Sequence, residues 1–432
     1  MLHIVIPLYK FSFLGAIGNR KFVKKRAYGL VLQYKWNCNK IKENIYLEYK
    51  TGAVMDLGEL RSQIDEIDHE LVELFEKRME ICGQVAEYKI QNNKQVFDKK
   101  REEEKIQNVK ALAHNELNRT GVEELFEQIM SVSRKLQYRM MTEHGKTELP
   151  PFEKKECLDI SHAKVVFQGA EGSYSQAAMN RYFGESIESS HVETFREAMA
   201  AIADKKADFA VLPIENSTAG IVSEIYDLLV EFDNYIVGEQ IIPIEHCLMA
   251  IPGTDMAQIK QVYSHPQSLM QSAHFLNQHP GWQQISMQNN AFAAQKVAKE
   301  QDTTKAAIAS EYAAKYYGLQ VLQKGVNDQK NNVTRFIIVS NQKIFVKDAD
   351  KISLCFEVPH RSGSLYRILS HFIYNNLNMN RIESRPMEGK NWEYRFFLDF
   401  EGNLEQEEVR NALRGVQEEA TNVRILGNYK SK

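Results

Sequence analysis

The stretch LGELRSQIDEIDHELVELFEKRMEICGQVAEYKI, residues 57–90, decides how the first part of the chain folds. Its apolar residues recur at spacings of three and four, which predicts one long helix with a coiled-coil-like apolar stripe. At ~1.5 Å per residue the helix measures roughly 50 Å, which is long for a compact monomer. We therefore expect other helices, and a second copy of the chain, to cover the stripe. The apolar stripe consists of Leu57, Leu60, Ile64, Ile67, Leu71, Leu74, Ile81 and Val85.

Two cations lie on the face that this stripe buries. Arg78 falls on the stripe itself, and Lys89 follows about three turns later on the same face. A buried charge costs free energy unless it is paired, so the two cations predict an anion between them. Alternatively, both side chains reach solvent or pair with acids such as Glu102. Arg61 lies nearly five turns before Arg78 and points elsewhere, so it can join the same site only from another chain.

Two further helices are predicted after the first, and both carry polar side chains on buried faces. Asp98, Arg101 and Glu102 are spaced i, i+3 and i+4 at the start of the second helix. In the third helix, Ser133 and Gln137 interrupt an apolar face. Either residue alone is compatible with a satisfied polar position in a core. Together with the cations of the first helix, they predict a polar cavity inside an all-helical bundle.

This pattern closely resembles the small all-helical chorismate mutase family, over about residues 55–141. The resemblance implies an intertwined homodimer in which the partner chain contributes one arginine to each site. The rearrangement of chorismate to prephenate needs no nucleophile, metal or cofactor, because the enzyme holds a reactive conformer and stabilises charge on the breaking ether oxygen. The resemblance assigns Arg61 and Arg78 to the two carboxylates, Lys89 and Gln137 to the ether oxygen, Glu102 to the ring hydroxyl, Asp98 and Ser133 to supporting contacts, and Arg101 either to the site or to local ion pairs.

A charged linker, about residues 146–162, separates the helices from a domain of different periodicity. There, short apolar runs alternate with amphipathic helices, which predicts βα units and a largely parallel sheet. One local pattern occurs four times: a short strand, a loop with small hydroxyl side chains, and a helix. The four loops are GAEGSYS at 169–175, PIENSTAG at 213–220, SHPQ at 264–267 and SE at 310–311.

These loops offer hydroxyl groups and free helix N-terminal N–H groups, which suit a small anion such as a carboxylate. N-capping explains any single loop equally well. Four loops at the same end of the strands favour a ligand cleft. The extended stretch 233–251 predicts a crossing to a second lobe, and 333–339 a strand that returns to the first. Two lobes joined in this way resemble periplasmic binding proteins at the level of fold.

The specific resemblance of this part, about residues 163–342, is to the prephenate dehydratase family. It rests on the first three loops and above all on NVTRF at 332–336. The implied reaction couples loss of the ring hydroxyl to decarboxylation, so it needs an acid near the leaving hydroxyl and a grip on the carboxylates. By this resemblance, Thr334 assists departure of the hydroxyl and Arg335 orients a carboxylate through its planar fork. The further substrate contacts that it implies are Ser173, Ser175, Asn216, Ser264, His265 and Gln271.

The last segment, about residues 350–432, predicts the order βαββαβ of a ferredoxin-like α+β fold. It resembles an ACT regulatory domain through GSL at 363–365 and ESRP at 383–386. In this class of dehydratase the two segments contribute to a phenylalanine site at a contact between domains. Ser364 and Tyr366 depart from the family pattern, which leaves the identity of the effector open, and an oligomerisation module without an effector stays an alternative. The implied effector residues are Gly363, Ser364, Leu365, Glu383, Ser384, Arg385 and Pro386.

Length and composition bound the remaining possibilities. At ~100–200 residues per domain, 432 residues predict two to four domains of ordinary globular composition. The net charge of −3 hides an asymmetry, because residues 1–54 hold ten Lys and Arg against two acids, +8, which leaves −11 for the remainder. We expect residues 1–54 to be a basic extension outside the fold, with the functional protein opening at Met55. Five scattered cysteines without a CxxC pair predict reduced thiols in a cytosol and no structural metal.

The predicted organisation is therefore an all-α domain at 55–145, a two-lobed α/β domain at 163–342 and an α+β domain at 350–432. This order resembles the bifunctional chorismate mutase/prephenate dehydratase family of phenylalanine biosynthesis. We expect a cytoplasmic homo-oligomer, at least a dimer, with neither metal nor cofactor, inhibited by phenylalanine, that binds neither nucleic acid nor membrane. Two alternatives stay open: a non-catalytic sensor of aromatic amino acids, and a dehydratase that prefers arogenate.

Overall fold

The computed structural model describes residues 56–145, 151–387, 389 and 393–432. The predicted basic extension, and residues 146–150 of the predicted linker, lie outside the described residues. The chain divides into two compact units, one that ends at Arg78 and one that begins at Met79. Within the described ranges, no helix is long and apolar enough to cross a membrane.

Three helices form the first part of the chain, as the sequence predicts. In the unit that ends at Arg78, the apolar stripe is open to solvent in the single chain: Ile64, Ile67 and Leu74 are 56%, 57% and 64% exposed. That a second copy covers the stripe stays a prediction. The helices are α1 (Leu57–Gln91), α2 (Lys99–Leu112) and α3 (Glu116–Glu143).

In the unit that begins at Met79, α2 packs on α3. The Asp98 carboxylate caps α2, because it accepts a hydrogen bond from the Arg101 main-chain N–H at 3.0 Å. Helix α3 buries polar side chains as well as apolar ones. Its Ser133, Arg134 and Gln137 are each at most 6% exposed. These buried polar groups require partners, and they find some of them in the C-terminal domain, as described below.

Residues 151–346 form two lobes, each built around one sheet. The elements are β1 (Glu153–Lys155), β2 (Lys164–Gln168), α4 (Tyr174–Phe183), β3 (Glu188–Val192), α5 (Phe195–Ala203), β4 (Phe209–Asn216), β5 (Gly220–Ile221), α6 (Ser223–Glu231), β6 (Tyr235–Pro243), β7 (His246–Ala250), a short 3₁₀ helix (Met256–Gln258), β8 (Gln261–Ser264), α7 (Pro266–Gln271), α8 (Ala273–Asn277), β9 (Gln283–Ser286), α9 (Asn290–Glu300), β10 (Lys305–Ser310), α10 (Glu311–Tyr317), β11 (Gln320–Gln323), β12 (Val333–Ser340) and β13 (Ile344–Val346).

The chain crosses to the second lobe between β6 and β7 and returns at β12, as predicted. The second lobe holds a five-stranded sheet in the order β11-β7-β10-β8-β9. The prediction of a largely parallel sheet holds only for the βα units. Strand β12 lies antiparallel between β4 and β6, and β7 lies antiparallel to β10 and β11. The chain crosses between the lobes twice, in opposite directions. The strands that enter a lobe at these crossings, β7 and β12, therefore run antiparallel to their neighbours.

The second half of the predicted linker is ordered structure. Strand β1 pairs in parallel with β13, which extends the large sheet of the first lobe. Phe152 packs its ring edge-on against Tyr235, with ring centroids 5.3 Å apart. Burying this aromatic ring supplies the free energy that an exposed, proline-rich linker lacks.

The C-terminal domain has the predicted order βαββαβ. Its sheet, in the order β15-β16-β14-β17 with antiparallel neighbours, continues into the first lobe because β17 also pairs with β6. At this joint a Cβ on Gly427 would stand 2.0 Å from the Ile236 carbonyl oxygen, so only glycine fits. Tyr226 and Phe397 pack across the same boundary, with ring centroids 4.8 Å apart. The elements are β14 (Lys351–Glu357), α11 (Ser364–Tyr374), β15 (Met379–Pro386), β16 (Tyr394–Glu401), α12 (Glu407–Glu419) and β17 (Thr421–Tyr429).

Candidate active sites

A cavity of about 570 Å³ is lined by residues of both lobes. All four predicted loops meet there, because each follows a strand end that faces the gap between the two sheets. The first loop docks on the second lobe at Gly172, which has φ +82° and lies against Ala313. The Ser310 hydroxyl donates to the Gly172 carbonyl at 3.2 Å. Six predicted residues line the cavity: Ser173, Ser175, Asn216, His265, Gln271 and Thr334.

Asn216 and Thr334, which we call the cleft pair, form the centre of its hydrogen-bond network. Asn216 Nδ2 donates to Thr334 Oγ1 at 2.9 Å and to Asn332 Oδ1 at 2.7 Å. Asn216 Oδ1 accepts from the Thr218 hydroxyl at 2.7 Å and from the Ala219 main-chain N–H at 2.9 Å. These contacts fix which way the Asn216 amide points. Since the Thr334 oxygen accepts a hydrogen bond, its own proton is available for donation into the cavity.

His246 belongs to the same network, although sequence analysis did not single it out. Its Nε2 lies 3.1 Å from Gln271 Oε1, and its Nδ1 lies 3.0 Å from the Tyr174 hydroxyl. Gln271 Nε2 in turn donates to the Thr218 hydroxyl at 2.7 Å. Burial lowers the pKa of His246, against the hydrogen bond to Gln271, so the ring is neutral near pH 7. In the sequence, His246 is marked by its position at the start of β7, a strand that is otherwise apolar.

The cavity offers an anion neutral hydrogen-bond donors rather than a formal positive charge. Among the described residues, no Lys or Arg lines it, and Glu224 is its one carboxylate. Its donors are hydroxyls, amides and the N-termini of helices such as α4 and α9, which Ser173 and Asn289 cap. Helix N-terminal N–H groups attract anions through their partial positive charge. Nor do the described residues contain a cluster of three or more His, Cys, Asp or Glu that could hold a metal ion.

Arg335 does not reach this cavity, so the prediction that it orients a substrate carboxylate is wrong. Thr334 and Arg335 are consecutive on β12, and consecutive side chains of a strand leave opposite faces. The guanidinium group faces the C-terminal domain, where it pairs with Glu239 at 3.2 Å and with Asp399 at 3.0 Å.

Ser264 is also placed differently from the prediction. It lies at the end of β8, is fully buried and does not line the cavity. Its hydroxyl donates to the Ile308 carbonyl at 2.6 Å, which joins β8 to β10. The neighbouring His265 does face the cavity, and burial lowers the pKa of its imidazole.

The helical part brings Lys89, Asp98 and Glu102 together in the unit that begins at Met79. Lys89 Nζ donates to the Val96 carbonyl at 2.6 Å. Burial lowers the pKa of Lys89, and the nearby carboxylates of Glu418, Asp98 and Glu102 oppose that shift. A partly desolvated ammonium group beside carboxylates is suited to bind a polar ligand that offers oxygen acceptors.

Ser133 and Gln137 lie on the buried face of α3, but they bond to their own helix. The Ser133 hydroxyl donates to the Ile129 carbonyl at 2.7 Å, and Gln137 Nε2 donates to the Ser133 carbonyl at 3.2 Å. Gln137 Oε1 is buried and has no hydrogen-bond partner among the described residues. A buried amide oxygen without a partner marks a position where a ligand or water can bind.

Sequence analysis missed three charged residues next to this cluster. Arg134 Nη1 donates to Glu102 at 2.7 Å, and its Nε donates to Glu419 Oε1 of the C-terminal domain at 2.8 Å. The Tyr138 hydroxyl donates to Glu418 at 3.3 Å. Arg134 carried a weak signal, since it directly follows Ser133 on a buried helix. The two glutamates lie some 280 residues further along the chain and carried none.

The other predicted mutase residues are three arginines. Arg61 is exposed and Arg78 half-buried in the unit that ends at Arg78. Arg101 is exposed, and its main-chain N–H bonds to the cap Asp98.

The two predicted effector segments lie beside one cavity of about 330 Å³, which opens at the start of α11. Ser364 and Leu365 line it directly. Strand β15 borders it, because Ser384 pairs with Phe396 and Pro386 with Tyr394, and both aromatic residues belong to the lining. Gly363, with φ +74°, makes the turn into α11. Arg385 leaves the other side of β15 and pairs with Asp227 of α6 at 2.7 Å, and Glu383 lies 3.8 Å from Arg381.

Comparisons with known proteins identify the two parts separately. The sequence model of chorismate mutase type II matches residues 60–138, and that of prephenate dehydratase matches residues 165–344. The bifunctional chorismate mutase/prephenate dehydratase of Buchnera aphidicola subsp. Schizaphis graminum is 34% identical over 386 residues. The aligned region covers 87% of this chain and 97% of that protein, so the relative has both parts in the same order.

Solved structures resemble part of this chain. The prephenate dehydratase of Arthrobacter aurescens, solved in complex with L-Phe, is 28% identical with a TM-score of 0.58, and the match covers 62% of this chain and 90% of that one. GqqA, described as a novel type of quorum-quenching acylase, is 32% identical with a TM-score of 0.58, over 62% of this chain and 98% of that one. The full-length relative decides between them, since it matches the helical part as well. The chain belongs to the bifunctional chorismate mutase/prephenate dehydratase family, and it carries both activities.

Proposed function

We propose that the cavity between the lobes is where prephenate is dehydrated, and that Thr334 donates a hydrogen bond to the departing hydroxyl. The observation that carries this proposal is the bond from Asn216 Nδ2 to Thr334 Oγ1 at 2.9 Å. It orients the Thr334 oxygen and leaves its proton for the substrate. A threonine hydroxyl is a weak acid, so it acts by stabilising the developing hydroxide rather than by complete proton transfer.

The lining of the cavity suits the second half of the reaction. As the C–O bond breaks, the electron pair of the C–CO₂ bond enters the ring, and the departing hydroxide takes up a proton from solvent and leaves as water. The ring carboxylate therefore loses its charge as CO₂ departs. A cation on that carboxylate would stabilise the ground state more than the transition state and would slow the reaction. Neutral donors, such as Ser173, Ser175 and the N-terminus of α4, hold the carboxylates without this penalty.

Thr334→Val tests the assignment, since it keeps the shape of the side chain and removes the hydroxyl. We expect kcat on prephenate to fall by about 10²–10³, the usual contribution of one hydrogen-bond donor that stabilises developing negative charge. Thr334→Ser is the matched control, because it retains the hydroxyl and should keep most of the activity. Chorismate mutase activity in both variants should equal that of the parent. A Thr334→Val enzyme with the kcat of the parent refutes the proposed role.

We assign the rearrangement of chorismate to the polar cluster of the helical part. Lys89 and Gln137 donate to the ether oxygen, and Arg61 and Arg78 bind the carboxylates. The partial burial of Lys89 supports this role, because a donor in a desolvated site stabilises developing charge more strongly than one in water. Lys89→Ala should abolish loss of chorismate and leave the dehydration of added prephenate unchanged. Equal loss of both activities would refute the assignment.

The exposed apolar stripe supports a homodimer in which Arg61 acts in the site of the partner chain. Mixing two inactive variants, Arg61→Ala and Lys89→Ala, tests this arrangement. A mixed dimer then contains one intact site, so random exchange of subunits should restore about a quarter of the mutase activity. If Arg61 serves its own chain, no mixture regains activity.

We propose that the C-terminal domain is an ACT domain that binds phenylalanine beside α11 and thereby inhibits the dehydratase. The lining of that cavity by Ser364 and the aromatic residues Tyr394 and Phe396 supports it. The L-Phe complex of the Arthrobacter aurescens relative supports the same ligand. Gly363→Val, strained at φ +74°, should raise the phenylalanine concentration that gives half inhibition. Unchanged inhibition would place the effector elsewhere.

We place the reactions in the cytoplasm, where the free cysteines of the described residues stay reduced.

A further inference from the structure

Each residue of the cleft pair has a charged neighbour on the opposite face of the sheet. Strand β12 continues from Thr334 to Arg335, and β4 reaches Asn216 through Glu215. In the register of the two strands, Thr334 lies opposite Asn216 and Arg335 lies opposite Glu215. The cleft pair and the charged pair are therefore the two faces of one short segment of the β4–β12 ladder.

The C-terminal domain extends the charged pair to four side chains, which we call the ion-pair chain. Arg335 Nη2 donates to Asp399 Oδ2 at 3.0 Å, and Arg381 Nη1 donates to Glu215 Oε2 at 2.6 Å. Arg335 Nε and Glu215 Oε2, 3.5 Å apart, connect the two pairs. Charges alternate along the chain, and each domain contributes two of them. The side chains of Arg335 and Asp399 are only 13% and 12% exposed, so solvent screens that pair little, whereas Glu215 is 39% exposed and its pairs are screened more.

The ladder is irregular in this segment, although main-chain pairing resumes beyond the irregularity, where the Ser217 N–H donates to the Val333 carbonyl at 2.9 Å. The register shifts directly after Arg335, which lies opposite Glu215, whereas Phe336 lies opposite Pro213. Pro213 has no N–H to give to the ladder. Strand β12 stays paired with β6 on its other side, so the irregularity falls on the end of β4. Side chains therefore add to the main-chain bonds that hold this end against β12, and the ion-pair chain provides such side chains.

We infer that Arg335 and Glu215 are positioning residues of the dehydratase. Through Asp399 and Arg381, the C-terminal domain holds the cleft pair at the separation that dehydration needs. The inference rests on the proposed role of the cleft pair. The C-terminal domain would then contribute to the reaction even when no effector is bound. Strand β15, which carries Arg381, also carries the proposed effector segment.

Asp399→Asn tests the inference, because it keeps the shape of the side chain and removes the charge that pairs with Arg335. We expect kcat on prephenate to fall by about tenfold to a hundredfold, the usual effect of slightly misplacing a catalytic group. KM should change little, since no residue that lines the cavity is altered. The mutase activity of the same protein should stay at the parent value.

Asp227→Asn is the matched control for a broken contact between the domains. Asp227 pairs with Arg385 at 2.7 Å across the same boundary, but it lies on α6 rather than on β4 or β12. The same chemical change should therefore leave kcat at the parent value. A fall in kcat equal to that of Asp399→Asn would show that any damage to this boundary slows the enzyme, and it would overturn the specific role of Arg335.

A double variant, Arg335→Gln with Asp399→Asn, separates positioning from stability. It leaves no carboxylate without a partner, because Glu239 keeps Lys351 at 2.5 Å and Glu215 keeps Arg381. We expect its melting temperature to recover relative to Asp399→Asn while kcat stays low. Joint recovery of melting temperature and kcat, or parent kcat in Asp399→Asn alone, overturns the inference.

The Thr334→Val variant distinguishes failure of this inference from failure of the proposed function. Parent-like kcat in Thr334→Val would refute the cleft assignment on which the inference rests. An inactive Thr334→Val beside a fully active Asp399→Asn would leave the cleft assignment intact and refute the positioning role alone.

Discussion

Replacing Arg134 with Met tests how the helical part is joined to the C-terminal domain. Arg134 is 5% exposed and pairs with Glu102 at 2.5 Å and with Glu419 at 2.8 Å. Met retains most of the apolar stem and removes the charge. The variant leaves Glu419, itself 5% exposed, beside His371, whose Nε2 lies 3.1 Å from Glu419 Oε1. Removing one partner of a buried ion pair is costly, because the other charge stays desolvated.

The expected cost follows from the burial of the two acids. Glu102 is 24% exposed and can turn to water, so Glu419 carries most of the penalty. Breaking a buried pair costs about 3–5 kcal/mol, and we take the lower end, about 3 kcal/mol. For 150–250 residues 1 kcal/mol corresponds to about 2–4 °C, and for a longer chain to less, so the melting temperature should fall by at most about 12 °C.

Differential scanning calorimetry of the full chain provides the measurement. Arg139→Met is the matched control, because Arg139 lies on the same helix and is exposed. It loses the cation–π contact with Tyr374, 5.9 Å from the ring centroid, and should change stability by no more than about 0.5–1 kcal/mol. Equal melting temperatures for Arg134→Met and Arg139→Met would refute the claim that a buried ion pair holds α3 to α12.

The difference in melting temperature between the parent and Arg134→Met should depend on pH in a predictable direction. Burial opposes ionisation of Glu419, but the hydrogen bond from His371 and the charge of Arg134 outweigh it and lower its pKa below 4.5. A lowered pKa contributes stability that is present above the unfolded pKa and is lost as the pH falls through the folded pKa. Arg134→Met removes part of that contribution. The melting temperatures of parent and variant should therefore converge below about pH 4.5, and a constant gap down to pH 3 would contradict the reasoning.

Three further outcomes follow from single contacts. Gly427→Ala puts a Cβ 2.0 Å from the Ile236 oxygen, so calorimetry should show a loss of about 1–3 kcal/mol or more; an unchanged melting temperature would contradict the close approach of β17 and β6. Ser264→Ala removes the bond to the Ile308 carbonyl and should cost about 1–2 kcal/mol, while a large rise in KM would restore Ser264 to the substrate site. Because burial lowers the pKa of His246, kcat/KM should fall on the acid side only below pH 6.5, and His246→Asn should lose that limb of the profile.

Local patterns in the sequence predicted much of this fold. The spacing of apolar residues gave α1 its length, and the repeated strand, loop and helix located the four loops that meet at the cavity. Such features depend on residues within about one or two turns or one strand, so a single sequence contains them. The sequence also contains the information that separates Thr334 from Arg335. Consecutive side chains of a strand over 333–339 point to opposite faces, so the two cannot contact one ligand. Applying that alternation would have placed Arg335 correctly.

The remaining features depend on residues that are far apart in the chain. Asp399 reaches Arg335 from a strand 64 residues later, and Glu419 reaches Arg134 across 285 residues. Neither acid stands out in its own segment, because exposed helix ends and strands commonly carry such charges. Packing between domains buries them, and burial is what makes these pairs matter energetically.

The most direct experiment is to supply the full-length enzyme with chorismate and to measure both prephenate and phenylpyruvate. We place the two reactions in separate parts of one chain. The parent should convert chorismate to phenylpyruvate, measured by absorbance in alkali. Thr334→Val should consume chorismate at the parent rate and accumulate prephenate. Phenylpyruvate formation at the parent rate in this variant, or loss of both activities together, would contradict the account.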